Sequence, residues 1–233
     1  MQKVVKKLFL GKHDPNEKRT ESVLRKRANN ITSIWHNQTE DDIGIEKLLR
    51  LFLALIQFVF VGTYIKHFFG KRGISYQELA VDVYVVFKLI FPIYILYTGI
   101  QHYFIVYFFL IWFVVETILY IPTLIFASDI FTKPRSYRRS MLLLFMNYLE
   151  IVFSFAVIYA RGSYLNQSFM HWFDPVYFSC ITSFTVGYGD YFPVTPMGKF
   201  LVSTQSLIFL VFVVLFLNFF SNKVEKKGYF NNE

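Results

Sequence analysis

One cysteine, Cys180, stands in 233 residues, so no disulfide can form within the chain. Charge is also scarce: Asp, Glu, Lys and Arg make up 17% of the residues, against roughly 25% in a soluble domain. No glycine-rich nucleotide loop, metal-ligand cluster or nucleophile–base arrangement is evident, which speaks against an enzyme. Residues 1–11 carry lysines but no apolar run long enough for a signal peptide. What fills the chain is apolar. Hydrophobic residues make up 55% and aromatics 21%, with 29 Phe, and the mean hydropathy is +0.40. These figures exclude a disordered chain, a disulfide scaffold and an ordinary soluble enzyme. They point to an all-α membrane protein with several spans, at roughly 20 apolar residues per span.

The net charge is +8, and 11 of the 24 Lys and Arg lie in residues 1–50. The basic clusters border apolar segments, so anionic lipid rather than nucleic acid is the expected partner. Residues 1–47 read as a basic N-terminal cytoplasmic tail, with a weak amphipathic pattern in Val23, Leu24, Ile31, Ile34 and Trp35. This is either a solvated tail or a helix lying on the cytoplasmic leaflet.

Residues 48–127 hold peripheral hydrophobic helices, expected at 48–69, 80–100 and 102–127. As one helix the stretch 80–127 would be about 72 Å long, more than twice the hydrocarbon thickness, so it must turn. Thr98-Gly99-Ile100-Gln101-His102 is its polar, glycine-containing break. Pro92 and Pro122 are expected to kink the two arms. A basic linker, 128–140, carries Lys133, Arg135, Arg138 and Arg139. Two further spans are expected at Met141–Ala160 and Leu201–Phe220, before a short cytoplasmic tail at 225–233.

Between those last spans stands Thr185-Val186-Gly187-Tyr188-Gly189-Asp190, preceded by Asp174-Pro175 and the nine residues from Val176 to Phe184. Asp174 can cap a helix by accepting from its free amides, and Pro175 suits the first helical position. A helix of about ten residues follows, too short to span, whose C-terminal dipole end favours a cation. After it, Gly187 and Gly189 can take positive φ. Alternated with Val186 and Tyr188, they let successive carbonyls point to one side, with the Thr185 hydroxyl below.

This segment resembles the pore loop of tetrameric potassium channels, with the selectivity signature intact, a loop for which carbonyl rings that replace the hydration shell of K⁺ are the standing example. The resemblance covers residues 141–224, as outer helix, pore helix, filter and inner helix. It implies a homotetramer in the cell membrane that passively conducts K⁺, the transported ion. It implies K⁺ ligands at Thr185, Val186, Gly187 and Tyr188, with Gly189 and Asp190 shaping the outer mouth and Tyr177 donating to Asp190 in support of the filter. Tyr177 and Phe178 stand where the family often has two tryptophans. No glycine lies between Gly198 and Gly228, so a glycine hinge is not the expected gate. Bulky Phe209, Phe212 and Phe216, or Phe219 and Phe220 beyond them, are candidates for a hydrophobic constriction, with packing against lipid or neighbouring helices as the plainer alternative. A voltage sensor is not expected, since Arg135, Arg138 and Arg139 lie in a polar linker rather than within a span. A non-conducting anchor or sensor, its basic tail binding a partner or lipid, is the alternative function, and the intact filter speaks against it.

A filter facing outside puts the 128–140 linker and the C-terminus in the cytoplasm, in keeping with the positive-inside rule. Counting spans back would leave the N-terminus outside, so a cytoplasmic N-terminus requires one non-spanning or re-entrant segment. Three charges fall within apolar segments: Lys88, Glu116 and Glu150. A lone charge at mid-membrane costs roughly 2.5–3.5 kcal/mol on insertion scales, so Lys88 is expected to pair with Glu116 or Glu150.

Overall fold

The computed structural model describes residues 22–37, 43–126 and 137–224, with side chains only to Thr123 in the second stretch, and from Arg138 to Leu217 in the third. Regular structure among them is helical, apart from one antiparallel bridge between Leu165 and Pro193. The helices are α1 Val23–Trp35, α2 Ile45–Ile56, α3 Val61–Gly70, α4 Ile74–Thr98, α5 Phe104–Phe126, α6 Tyr137–Arg161, α7 Asp174–Ser183 and α8 Pro196–Val224. Four of them, α4, α5, α6 and α8, are long and apolar enough to cross a membrane. The chain divides into two compact units, one of residues 1–87 and 119–133, the other of 88–118 and 134–233.

In the first unit, α1 packs on α2 and α3, burying Val23 and Ile34. Ser22 Oγ and His67 Nδ1 are 3.2 Å apart, and Arg27 donates to the Gln57 amide oxygen. The segment expected as one helix at 48–69 is two. Helices α2 and α3 are bent by 60° at a short break, and at about 18 and 15 Å neither could cross a membrane alone. The break is pinned by Thr63, whose buried hydroxyl donates to the Gln57 carbonyl at 2.6 Å. Helix α2 is ordered contrary to a water-soluble helix. Its buried face carries Arg50 beside Leu53 and Ala54, while Ile45, Leu48, Phe52 and Leu55 are exposed.

Helix α4 begins six residues earlier than the apolar run suggested, because Ser75 and Gln77 are buried rather than solvated. Pro92 and Pro122 lie inside α4 and α5 without ending them. Between those helices Gly99 takes φ +70°, and a turn of 3₁₀ helix, Ile100–His102, follows. Such a left-handed residue is the usual stop after a helix C-terminus.

In the second unit α6 packs on both α7 and α8. Its start at Tyr137 takes in Arg138 and Arg139, which sequence placed in the linker. Lys133 and Arg135, residues 1–21 of the tail and residues 225–233 lie outside the described residues. Helix α8 begins five residues before its apolar run. Pro196 opens it, and the Thr195 hydroxyl accepts from the Gly198 amide at 3.0 Å, an N-terminal cap. Gly198 is required there: a Cβ would stand 2.7 Å from the Tyr164 carbonyl.

Candidate pore loop and its supports

Helix α7 runs for ten residues, with Asp174 and Pro175 in its first turn. The Asp174 carboxylate does not cap this helix as expected. It turns back instead and accepts from the amides of Met170 and His171, at 2.8 and 2.9 Å. The cause is position: Asp174 is already helical, so its side chain reaches the preceding turn and not the amides ahead. Desolvation acts to raise its pKa, but these two amides and the neighbouring His171 hold the carboxyl below its ordinary range. Burial pushes the Cys180 thiol up.

At its C-terminal end α7 passes directly into the loop. The amides of Phe184, Thr185 and Val186 donate to the carbonyls of Cys180, Thr182 and Ile181 at 2.9, 3.2 and 2.9 Å. Beyond them the backbone alternates. Thr185, Gly187 and Gly189 have φ of +55°, +57° and +85°, while Val186 and Tyr188 between them are right-handed or extended. Signs of φ that alternate residue by residue make this loop an irregular ribbon, neither helix nor ordinary strand. Glycine reaches positive φ without penalty, whereas Thr185, β-branched, is a marked outlier held by the end of α7. Val186 and Tyr188 are exposed on the single chain, and a Cβ at Gly187 or Gly189 would meet nothing within 4 Å.

The far end of the loop is clasped. Asn166 Nδ2 and Gln167 Nε2 both donate to the Asp190 carbonyl, at 3.1 and 3.2 Å. Asn166 also accepts from the Phe192 amide at 2.9 Å and donates its own amide to the Phe192 carbonyl at 3.0 Å. Tyr177 meets Asp190. Desolvation first, then the nearby Asp190 carboxylate, raises the phenol pKa.

Behind the loop lies a buried polar network that sequence reasoning missed. Gln205 of α8 is 1% exposed. Its Nε2 lies 3.0 Å from the Ser179 carbonyl, 2.7 Å from Ser179 Oγ and 2.6 Å from Ser183 Oγ. Its Oε1 accepts from the Tyr159 hydroxyl at 2.7 Å. Ser179 Oγ in turn donates to the Val152 carbonyl at 2.6 Å. Three helices, α6, α7 and α8, thus meet at one amide.

The phenylalanines offered as a constriction lie against aromatic rings of α6 in the single chain. Phe212 is 1% exposed and stacks 5.1 Å from Tyr148, Phe209 lies 6.0 Å from the same ring, and Phe216 lies 6.4 Å from Phe145. All three pack on α6, because rings this large fill the seam between two helices. The side of α8 left uncovered in the single chain carries Phe200, Leu207, Leu210, Val214 and Leu217. The side chains of Phe219 and Phe220 lie outside those described.

The intramembrane charges converge in part. Lys88 Nζ lies 3.6 Å from Glu150 Oε2, both side chains nearly fully buried. Thr117 bridges them, accepting from Lys88 and donating to Glu150 at 2.7 Å. Glu116 is buried beside this bridge on α5.

A ten-residue helix, an exposed loop of alternating φ and a long apolar helix on each side make up this stretch of the chain. Residues 142–226 match the family model described as an ion channel, Ion_trans_2. No curated protein and no solved structure matches the chain. The family match points to a channel in the membrane and not to an enzyme.

Proposed function

We propose that this protein is a potassium-selective channel, passively conducting K⁺ through a pore formed by four copies of the chain. The observation that carries this reading is the alternating φ of Thr185, Gly187 and Gly189 on an exposed ribbon. One ribbon lines a quarter of a circle. Four around an axis stack rings of carbonyl oxygens from Thr185, Val186, Gly187 and Tyr188, with the Thr185 hydroxyl at the base, and such rings substitute for the water shell of K⁺. Irregular backbone at membrane depth is tolerated only where it is buried in protein or lines a water-filled path. The exposed ribbon of one chain therefore calls for partners, and identical copies supply them by symmetry.

In this reading Asp190, held by Tyr177, and Gly189 form the outer mouth. The loop faces outside and the C-terminus lies in the cytoplasm of the cell membrane. Arg138 and Arg139, at the start of α6, sit at the cytoplasmic boundary and meet anionic headgroups. Gating by voltage is not part of the proposal, since none of the spans among the described residues carries arginines or lysines at every third position.

The test is the reversal potential of purified protein in a planar bilayer with K⁺ on one side and Na⁺ on the other. A value near the K⁺ equilibrium potential is expected. Clear current that reverses near zero would refute potassium selectivity.

A further inference from the structure

We infer that Gln205 is a positioning residue for the filter: from the inner helix α8, its amide sets where the end of α7, and hence Thr185, stands. This deepens the potassium-channel reading and rests on it.

The geometry supplies each link. Ser179 and Ser183 are four residues apart on α7 and therefore share one face of it. The Gln205 Nε2 sits against both hydroxyls and the Ser179 carbonyl. An amide nitrogen has two hydrogens, so three acceptors compete for two donors, and the group is fully used. Its orientation is fixed by the Ser179 carbonyl, which can only accept and so requires Nε2 on that side, leaving Oε1 to accept from the Tyr159 hydroxyl. Tyr159 is itself fully buried, its ring 4.8 Å from Phe178 of α7.

Ser183 is two residues before Thr185. In the same turn, the amides of Thr185 and Val186 are bonded to Thr182 and Ile181. A displacement of the Ser179–Ser183 edge therefore reaches the filter base through a single turn of helix. Thr185 holds a conformation that its own side chain disfavours, so it depends on being held from outside. Nothing between Gly198 and the end of α8 offers a glycine or proline at which the inner helix could bend away from this contact. Movement of α8 and the shape of the filter base are then tied together at Gln205.

The experiment uses the full-length protein in planar bilayers, with four variants: Gln205→Glu, Gln205→Asn, Tyr159→Phe and Ser183→Ala. Gln205→Glu keeps size and replaces two N–H donors with a carboxyl that offers at most one. Tyr159→Phe keeps the ring and removes the donor to Oε1. The readout is the K⁺/Na⁺ permeability ratio from the reversal potential, beside melting temperature and oligomeric size.

A fall of roughly tenfold in the ratio is expected for Gln205→Glu, the equivalent of one ordinary hydrogen bond. Smaller falls of the same sign are expected for Tyr159→Phe and Ser183→Ala. If Gln205→Glu does not assemble, Tyr159→Phe and Ser183→Ala decide. Variants that melt earlier yet keep the wild-type ratio show a merely structural role and overturn the proposal alone. A wild-type ratio near one overturns the potassium reading and this proposal with it.

Discussion

Lys88 and Glu150 stand 3.6 Å apart on α4 and α6, nearly fully buried, with the Thr117 hydroxyl between them. Neither charge tolerates the loss of the other, since removing one partner of a buried pair costs roughly 3–5 kcal/mol. Lys88→Met or Glu150→Gln alone should lower the melting temperature and the yield of assembled protein. The double variant should recover most of the loss. Thr117→Val should cost about 1 kcal/mol, the worth of its hydrogen bonds. A double variant no better than the singles would show that the charges act independently.

Phe212 fills the seam between α6 and α8, and Phe212→Ala should destabilise the protein by about 3–5 kcal/mol. Single-channel open probability should not rise. The uncovered side of α8 should behave in the opposite manner. Leu210→Ser or Val214→Ser is expected to favour the open, wetted pore while changing melting little, because hydrophobic constrictions gate by excluding water. Recordings beside melting curves separate the two faces.

Gly198→Ala should place a methyl group 2.7 Å from the Tyr164 carbonyl. Backbone cannot yield as a flexible side chain does, so a loss of about 1–3 kcal/mol is expected. Replacing Thr195 by Val as well should add the loss of the cap on the same turn. Thermal unfolding of the two variants measures both effects.

Asp174 carries a pH dependence of fixed sign. Its folded pKa is lowered by the Met170 and His171 amides, against desolvation. Its stabilising contribution is therefore complete above the unfolded carboxylate value of about 3.9, and is lost as pH falls through the lower folded value. The difference in melting temperature between wild type and Asp174→Asn should be constant near neutral pH and close in strong acid. A difference that instead grows in acid would reverse the sign of the argument.

Much of the pore loop is legible in the amino acids because its demands are local. Asp174-Pro175 marks the start of a helix, and the glycines at 187 and 189 mark where left-handed backbone is needed. Gly99 marks a turn in the same way. What escapes is set by tertiary packing. Gln205 meets Ser179, Ser183 and Tyr159 across 22 to 46 positions of sequence, and a lone Gln in an apolar helix gives no periodic signal. The direction of Phe209, Phe212 and Phe216 is equally silent, because α8 is apolar on every side and no stripe distinguishes its partner from its lumen. Thr185 shows no sign in its side chain of the left-handed backbone imposed on it by α7. The break between α2 and α3 hides inside a continuous apolar run, where a hydroxyl, Thr63, does what a glycine or proline elsewhere announces.

Helix α2 turns Arg50 inward and Ile45, Leu48, Phe52 and Leu55 outward. For such a helix water is the denaturant. In an aqueous buffer the apolar stripe would seek cover and the guanidinium would seek solvent, so the favoured arrangement would be the reverse of the one described. The architecture of this part of the protein is thus a joint property of chain and solvent. Detergents with tails too short to cover that stripe should release α2 from α1 and α3 before they disturb the region around α7.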